Sequence, residues 1–451
     1  MRAIVVGAGE VGFDVARLLA IEEHDVVVID RDAAALSRLS DKLDVMTVLG
    51  NGTSASVLQD AGAADAVLLV AVTTIDEVNL VACMLADRLG CKRTIARVRS
   101  GEISGSESVL STADFGIDVV IHPEESAAAE VELLILRAGA SDIVPLADGK
   151  LHLIGLRLGE DSPVAGMSLE EFGQRYPKPA IRVVAIVRGI RTILPRGRDT
   201  LRKNDVVFVA CLPKHAPHVL EVMGKKDQRI DRIMIIGGTP VAAQVARRLG
   251  GAKNRQIKLV EADRDRAQVL SEELGQVLVI HGEPTDLDLL VTEGMPDMDA
   301  VITLTEDEES NLVSCLLAKH LGVSKTVALL SKPAYIPISQ SIGLDSAVNL
   351  KLAISREVMA SLRGQHVMSV ASLRGVDAEV LEIQAQPGSP ATRGPLAELT
   401  PPAEVLIAGV LHDGHVSVAT ATTQIRPGDR AYVFVRHASV GAAETFFRGR
   451  G

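Results

Sequence analysis

At 451 residues the chain exceeds what one ordinary core supports, and its length suggests about three or four domains. A formal charge of −11, an aromatic content of 2% and the lack of any long Lys/Arg block argue against a surface that tracks nucleic-acid phosphates. The longest apolar stretches, such as Ala66 to Val72, are strand-length rather than the ~18 residues a membrane helix needs, and the first residues lack a signal-peptide pattern, so a cytoplasmic protein without a membrane span is expected.

In chain order, MRAIVVGAGEVG predicts a strand over Ala3–Val6, a glycine turn and a helix whose apolar stripe is Val11, Val15 and Leu19. Further strands follow at Val26–Ile29 and Val67–Val72, alternating with helical patterns. This order implies right-handed crossovers and a parallel sheet covered on both faces. After about Ser141 the strands shorten and are broken by Gly and Pro, in LHLIGLRL, IRVVAIVRG and VVFVA, which predicts a small α+β module. GKKDQR, from Gly224 to Arg229, reads as a charged linker. The pattern then begins again. MIIGGTPVAAQVARRL matches IVVGAGEVGFDVARLL, and TEDEESNLVSCLLAKHLG matches TTIDEVNLVACMLADRLG, placing Cys315 on Cys83 and Asn311 on Asn79. The expected organisation is α/β: two doubly wound parallel-sheet domains at 1–140 and 229–365, each followed by a small α+β module at 141–224 and 366–451.

Gly7, Gly9 and Gly12 follow the first strand and open a helix, the context in which GxGxxG binds a pyrophosphate on backbone amides at the positive helix end. Asp30 ends the second strand 18 residues after Gly12, where an acid accepts hydrogen bonds from ribose hydroxyls and disfavours a 2′-phosphate; the other reading is an exposed turn acid. NAD or an adenine nucleotide is therefore expected over NADP. In the second copy Gly9 becomes Thr239 and Gly12 becomes Ala242, while Glu261 stands where Asp30 does, leaving occupancy of that site an even choice. Arg97, at the end of TIARV, is placed to reach phosphates or a ribose, but its counterpart is Leu329; a structural arginine is the alternative. Thr73 and Thr74 end a strand beside the same crevice, and Thr73-x-x-Asp76 and Thr305-x-x-Glu308 read equally as capping boxes. Asn51-Gly52 is a ligand-facing loop or a turn.

No set of residues for proton transfer accompanies the fingerprint, so no catalytic residue is assigned. Glu124-Glu125 reads as a cation site or, better, as acids favouring a helix N-terminus. The four cysteines lack a CxxC pair or a nearby His, and neither a metal site nor a disulfide is expected.

The segments VVGAGEVG, VVVID, GNGTS, AVTTIDEVNL, ARVR and HPEES in the first half, MIIGG, LVEAD, HGEPTD and TLTEDEESNL in the second, and SPVAGMSL with LPRGRDTLRKNDVVFV between them resemble the cytoplasmic NAD-binding regulatory subunits of Trk-type potassium-uptake systems, built from paired RCK (KTN) domains. The resemblance covers essentially the whole chain. It implies a non-enzymatic regulatory subunit, a dimer or tetramer, whose ring of RCK domains docks on the inner face of a potassium-translocating membrane protein. Its ligand would be NAD or NADH, with ATP or ADP as alternatives. The implied contacts are Gly7, Ala8, Gly9, Glu10, Val11, Asp30, Thr73, Thr74 and Arg97, with Gly237, Gly238 and Glu261 corresponding in the second half. An NAD-dependent oxidoreductase and a nucleotide-bound assembly scaffold are the competing readings.

Overall fold

A computed structural model describes residues 1–99, 112–189, 191–252, 254–332, 335, 339, 342–351, 354, 358, 367–372 and 376–449. The expected boundary between 365 and 366 lies outside the described residues. By compactness the chain divides into two units: Met1–Ser126 with Leu350–Gly364, and Ala127–Asn349 with Gln365–Gly451.

The first unit is built on six parallel strands, β1 (Arg2–Val6), β2 (Asp25–Asp30), β3 (Met46–Leu49), β4 (Leu68–Ala71), β5 (Thr94–Arg97) and β6 (Val119–Ile121), in the order β3-β2-β1-β4-β5-β6. Every residue of β1 from Ala3 to Val6 is buried, as expected for a strand covered on both faces. Val15 and Leu19 of the helix Glu10–Ile21 sit in the core on one face with Val26, Val28 and Val70, while Leu80, Cys83 and Ala86 of the helix Asp76–Leu89 sit in the core on the other. Ile354 and Val358 join the first of these clusters, so a late stretch of chain completes the cover of the first sheet.

The second unit opens with a five-stranded antiparallel sheet of β7 (Asp142–Leu146), β8 (Leu151–Arg157), β9 (Arg182–Arg188), β10 (Arg191–Ile193) and β11 (Val206–Cys211), in the order β10-β9-β11-β8-β7. A second six-stranded parallel sheet follows: β12 (Arg232–Ile236), β13 (Gln256–Glu261), β14 (Leu278–His281), β15 (Ala300–Thr303), β16 (Lys325–Leu329) and β17 (Ser346–Val348), ordered β14-β13-β12-β15-β16-β17. The last sheet, β18 (Val367–Ser372), β19 (Glu379–Gln384), β20 (Val405–His412), β21 (His415–Val418) and β22 (Arg430–Val435), is ordered β18-β19-β22-β20-β21, the topology of the first small sheet strand for strand. The two small sheets share one apolar core, with Leu153, Phe208 and Val184 against Val380, Ala408 and Phe434. The repeat read from the sequence is therefore a repeat of folds. All four cysteines lie buried, and among the described residues no helix is long and apolar enough to cross a membrane.

Candidate functional site: a crevice at each sheet switch point

In both parallel sheets the strand order reverses beside the first strand, between β1 and β4 and between β12 and β15, which is where a doubly wound sheet opens a crevice at the carboxyl ends of its strands. The first crevice, of about 210 Å³, is lined by Gly7, Gly9, Asp30, Arg31, Asn51, Gly52, Thr73 and Thr74 among others. Gly7 has φ +112, a backbone region that costs any other residue strain, and its N–H donates to the Ile29 carbonyl at 2.8 Å. Asp30 braces the loop: one carboxylate oxygen accepts from the Ala8 N–H and the other from the Asp32 N–H at 2.9 Å. An ionised carboxylate offers about four acceptor sites, so Asp30 keeps capacity for a further donor in the crevice.

The other two fingerprint glycines do different jobs. A methyl group built on Gly12 would lie 1.7 Å from the Gly7 carbonyl oxygen, so this glycine is required by the close passage of helix and loop alone. A methyl group on Gly9 would meet nothing within 4 Å. Gly9 also stands as the N-cap of the helix Glu10–Ile21 and supplies no side chain to cap it. The first amides of that helix are therefore left for a partner from outside, in open space beside Asp30, which is the cradle a pyrophosphate requires.

Ala8 is buried, and Val11 is half-buried against the first core cluster. Glu10 is exposed on the first helical turn, with the Lys351 ammonium 3.5 Å from its carboxylate and 3.1 Å from that of Asp14. Neither Glu10 nor Val11 lines the crevice. Arg97 does not line it either; its guanidinium donates to Glu124 at 2.7 Å, with both side chains largely buried. Glu124 and Glu125 occupy the first turn of the helix Pro123–Leu136, the favourable place for acids against the helix dipole.

The capping-box reading of Thr73 and Thr305 is corrected. Ile75, not Thr73, is the N-cap of the helix Asp76–Leu89, and the helix Glu308–His320 is capped by Asp307, whose carboxylate accepts from the Ser310 N–H. Thr73 is held instead by Asn79. The Asn79 Oδ1 accepts from the Thr73 N–H at 2.9 Å and from its hydroxyl at 2.7 Å, while the Asn79 amide donates to the carbonyls of Thr73 and Arg97. Asn311 repeats each of these bonds with Thr305 and Leu329. A buried asparagine thus ties the ends of two neighbouring strands beside each crevice. The signal in the sequence was the recurrence of a polar residue inside an apolar helical stripe in both copies.

The second crevice is roomier, about 340 Å³, and is lined by Gly237, Gly238, Thr239, Glu261, Arg266, Thr305 and Ser310 among others. Gly237 takes φ +99, and Glu261 accepts from the Gly238 and Asp263 amides as Asp30 does from its own loop. The helix end is handled differently. Thr239 caps it, accepting from the Ala242 N–H and donating to the Leu304 carbonyl at 2.7 Å, so the position that is open at Gly9 is filled from within the chain. Arg266, where the first copy has Ala35, reaches over the loop and donates through Nε to the Gly238 carbonyl. This brings a cation to the crevice that the motif comparison did not single out, because it lies outside the glycine fingerprint.

The model of the TrkA-N domain family matches residues 3–123 and 233–350, the two parallel-sheet regions, and that of the TrkA-C domain family matches 153–224. The Trk system potassium uptake protein TrkA homolog 2 of Methanosarcina mazei is 33% identical over 99% of this chain and 100% of its own length. Among solved structures, the GsuK RCK domain superposes with a TM-score of 0.63 at 18% identity, covering 99% of this chain and 94% of that one. The GsuK channel bound to NAD does so at 0.62 and 17%, covering 99% and 78%. With both of its parallel-sheet regions matched and an end-to-end relative above 30% identity, the chain belongs to the TrkA family of Trk system potassium uptake proteins.

Proposed function

We propose that the chain is a regulatory subunit that senses NAD(H) or an adenine nucleotide and gates a potassium-translocating membrane subunit of the Trk type, from the inner face of the membrane and as a homo-oligomeric ring. The observation that carries this reading is the contrast at Gly9: an uncapped helix N-terminus in open space, flanked by an acid suited to ribose. Gly7, Ala8 and Gly9 would hold the pyrophosphate through backbone amides, Asp30 the adenosine ribose, and Thr73 and Thr74 the far side of the crevice. Glu10, Val11 and Arg97 would act by shaping the helix start and the strand ends. Gly237, Gly238 and Glu261 form the equivalent set in the second half. The four-part organisation at 1–140, 141–224, 229–365 and 366–451 belongs to the same reading. A bound nicotinamide nucleotide can supply hydride chemistry, but Asp30 and Thr73 each serve to hold a loop, Asp30 through two amides and Thr73 through Asn79, and among the described residues no set for proton transfer stands beside them. Such a site binds rather than transforms, and the chain is read as a non-enzyme.

Family membership and the potassium-uptake name of the relative support the partner, and the NAD-bound GsuK channel of like fold supports the ligand. If nucleotide binds two ring conformations with affinities differing by about 1–3 kcal/mol, their ratio shifts roughly 5–150-fold. The test is reconstitution with the membrane partner in liposomes and measurement of rubidium uptake with NADH, NAD, ATP and ADP. Uptake should depend on which nucleotide is present. Uptake indifferent to all four would leave the scaffold reading, and sustained NADH oxidation with an organic substrate would establish the oxidoreductase one.

A further inference from the structure

A third cavity, of about 190 Å³, lies within the second unit and shares no lining residue with either crevice; it sits where the chain leaves the helix Pro123–Leu136 and enters β7. Its walls come from four places far apart in sequence: Gly139 to Asp142 at the turn, Arg157 at the end of β8, Lys225 after the helix Ala216–Val222, and Gly343 to Ala347 leading into β17. An apolar side is formed by Val187, Val206, Phe208 and Leu344.

These walls are held in place by specific bonds. Lys325 is 1% exposed, and its ammonium donates to the Ala140 carbonyl at 2.6 Å and the Ser346 hydroxyl at 2.9 Å, joining two lining segments and leaving its third N–H without a hydrogen bond among the described residues. Gly224, at φ +79, ends the helix before it, and the Lys225 N–H returns to the Leu220 carbonyl at 2.8 Å, which fixes where Lys225 starts. A methyl group on Gly139 would come within 3.2 Å of the Lys225 Cβ, so the turn and the lysine pack in direct contact.

The charges do not balance. Asp345 is already taken by Lys319 at 2.9 Å and by the Thr326 amide and hydroxyl. That leaves Arg157, Lys225 and Lys325 around the cavity against the single carboxylate of Asp142, an excess of two positive charges. Among the described residues, neither of the lining side chains Arg157 and Lys225 makes a hydrogen bond or a salt bridge. Burial, with Arg157 adding to it and Asp345 opposing, draws the Lys225 ammonium below the usual lysine range, and burial brings Lys325 to about 8. Lys325 is fully buried and Lys225 half-buried, and a cation shielded from water without a matching charge is costly unless an anion joins it.

We propose that this cavity binds a small phosphomonoester, its phosphate dianion held by Arg157 and Lys225 over the Lys325 floor and its short carbon skeleton laid on Val187, Val206 and Phe208. The excess charge matches a phosphate dianion, and the arginine fork suits its geometry. A cavity holds one water in roughly 10–15 Å³, so there is room for a phosphate and several further heavy atoms. A ligand here would touch the turn between the long helix and the small sheet.

The test is isothermal titration of the full-length chain with glycerol 3-phosphate, with inorganic phosphate and with glycerol as the uncharged control. Glycerol 3-phosphate should bind one site per chain more tightly than phosphate, and glycerol should not bind. Arg157→Gln and Lys225→Gln should each weaken binding roughly tenfold or more, the loss expected for one charge-assisted contact. Phosphate binding as tightly as the ester would remove the apolar wall from the proposal and so overturn it as stated. No binding at millimolar concentration, full binding by both variants at unchanged melting temperature, or binding abolished by saturating NADH would each overturn it too, the last by placing the anion in the crevices. Since Arg157 is exposed, its variant decides the matter should Lys225→Gln melt early.

Discussion

The two crevices are built by the same rules up to one position and then diverge. Each has a first glycine at positive φ, an acid that braces the loop through two amides, and a buried asparagine that ties the strand ends. At the helix start the first copy has Gly9 and an open end, and the second has Thr239, which closes the end on itself. The difference shows which parts of the fingerprint belong to the fold and which to a ligand. Whatever both copies keep is needed to form the crevice, and Gly9 is needed only if something enters it.

The largest expected effect tests the packing side of that division. Gly12→Ala forces a methyl group against the Gly7 carbonyl, and should destabilise the chain by about 3 kcal/mol or more in urea unfolding. Ala242→Gly, the reverse change in the second copy, meets no such conflict and should cost about 1 kcal/mol from helix propensity. Comparable losses at both positions would mean that the two helices pass their loops at the same distance.

Next come the asparagines, where the copies should behave alike. Asn79→Ala and Asn311→Ala each leave the partners of four hydrogen bonds without their side chain, at about 2–3 kcal/mol, read by unfolding and by faster amide exchange at Thr73 or Thr305. A loss confined to one copy would show that only that crevice is held in this way.

Asp30→Ala should weaken nucleotide binding by about 1–3 kcal/mol in titration calorimetry, and Glu261→Ala less, since Thr239 already occupies the second helix end. Equal losses at the two sites would make the second crevice as competent as the first and give Arg266 the part of a compensating phosphate partner.

Much of this was legible in the sequence, because strand and helix periodicity, the glycine spacing and the internal repeat are local signals. The two parallel sheets and the two small ones follow from them. What stayed hidden depends on contacts between distant segments or on side-chain direction. The glycine spacing alone could not separate Gly12, which packs, from Gly9, which leaves room. The threonines after the fourth strand carried a capping pattern, yet an asparagine six residues on competes for Thr73 and Thr305 and wins. Arg97 stands at a strand end where the sequence leaves open a ligand arginine or a structural one, and its pairing with Glu124, 27 residues later, is a contact that no local pattern records. The third cavity depends on Lys325 reaching Ala140 across 185 residues, which no periodicity records.

The smallest expected change in stability carries the sharpest test of the comparison. Gly9→Thr copies into the first crevice the residue that the second already has. Its φ of −67 suits any residue, and its Cβ would enter open space, so no strain is expected. A threonine cap at a helix start is worth about as much as glycine or a few tenths of a kcal/mol more, and the unfolding free energy should stay within about 0.5 kcal/mol of the parent. Nucleotide binding should nonetheless fall sharply, because the new side chain stands where a pyrophosphate must approach the backbone and its hydroxyl competes for the helix amides. In reconstituted liposomes the same variant should assemble with the membrane partner and carry rubidium while its response to nucleotide is blunted. A protein that folds and assembles normally, binds nothing in the first crevice and still responds in full would show that sensing resides elsewhere. If instead Gly9→Thr binds nucleotide as the parent does, the open helix end is not the ligand's seat, and the contrast between the two copies has another cause.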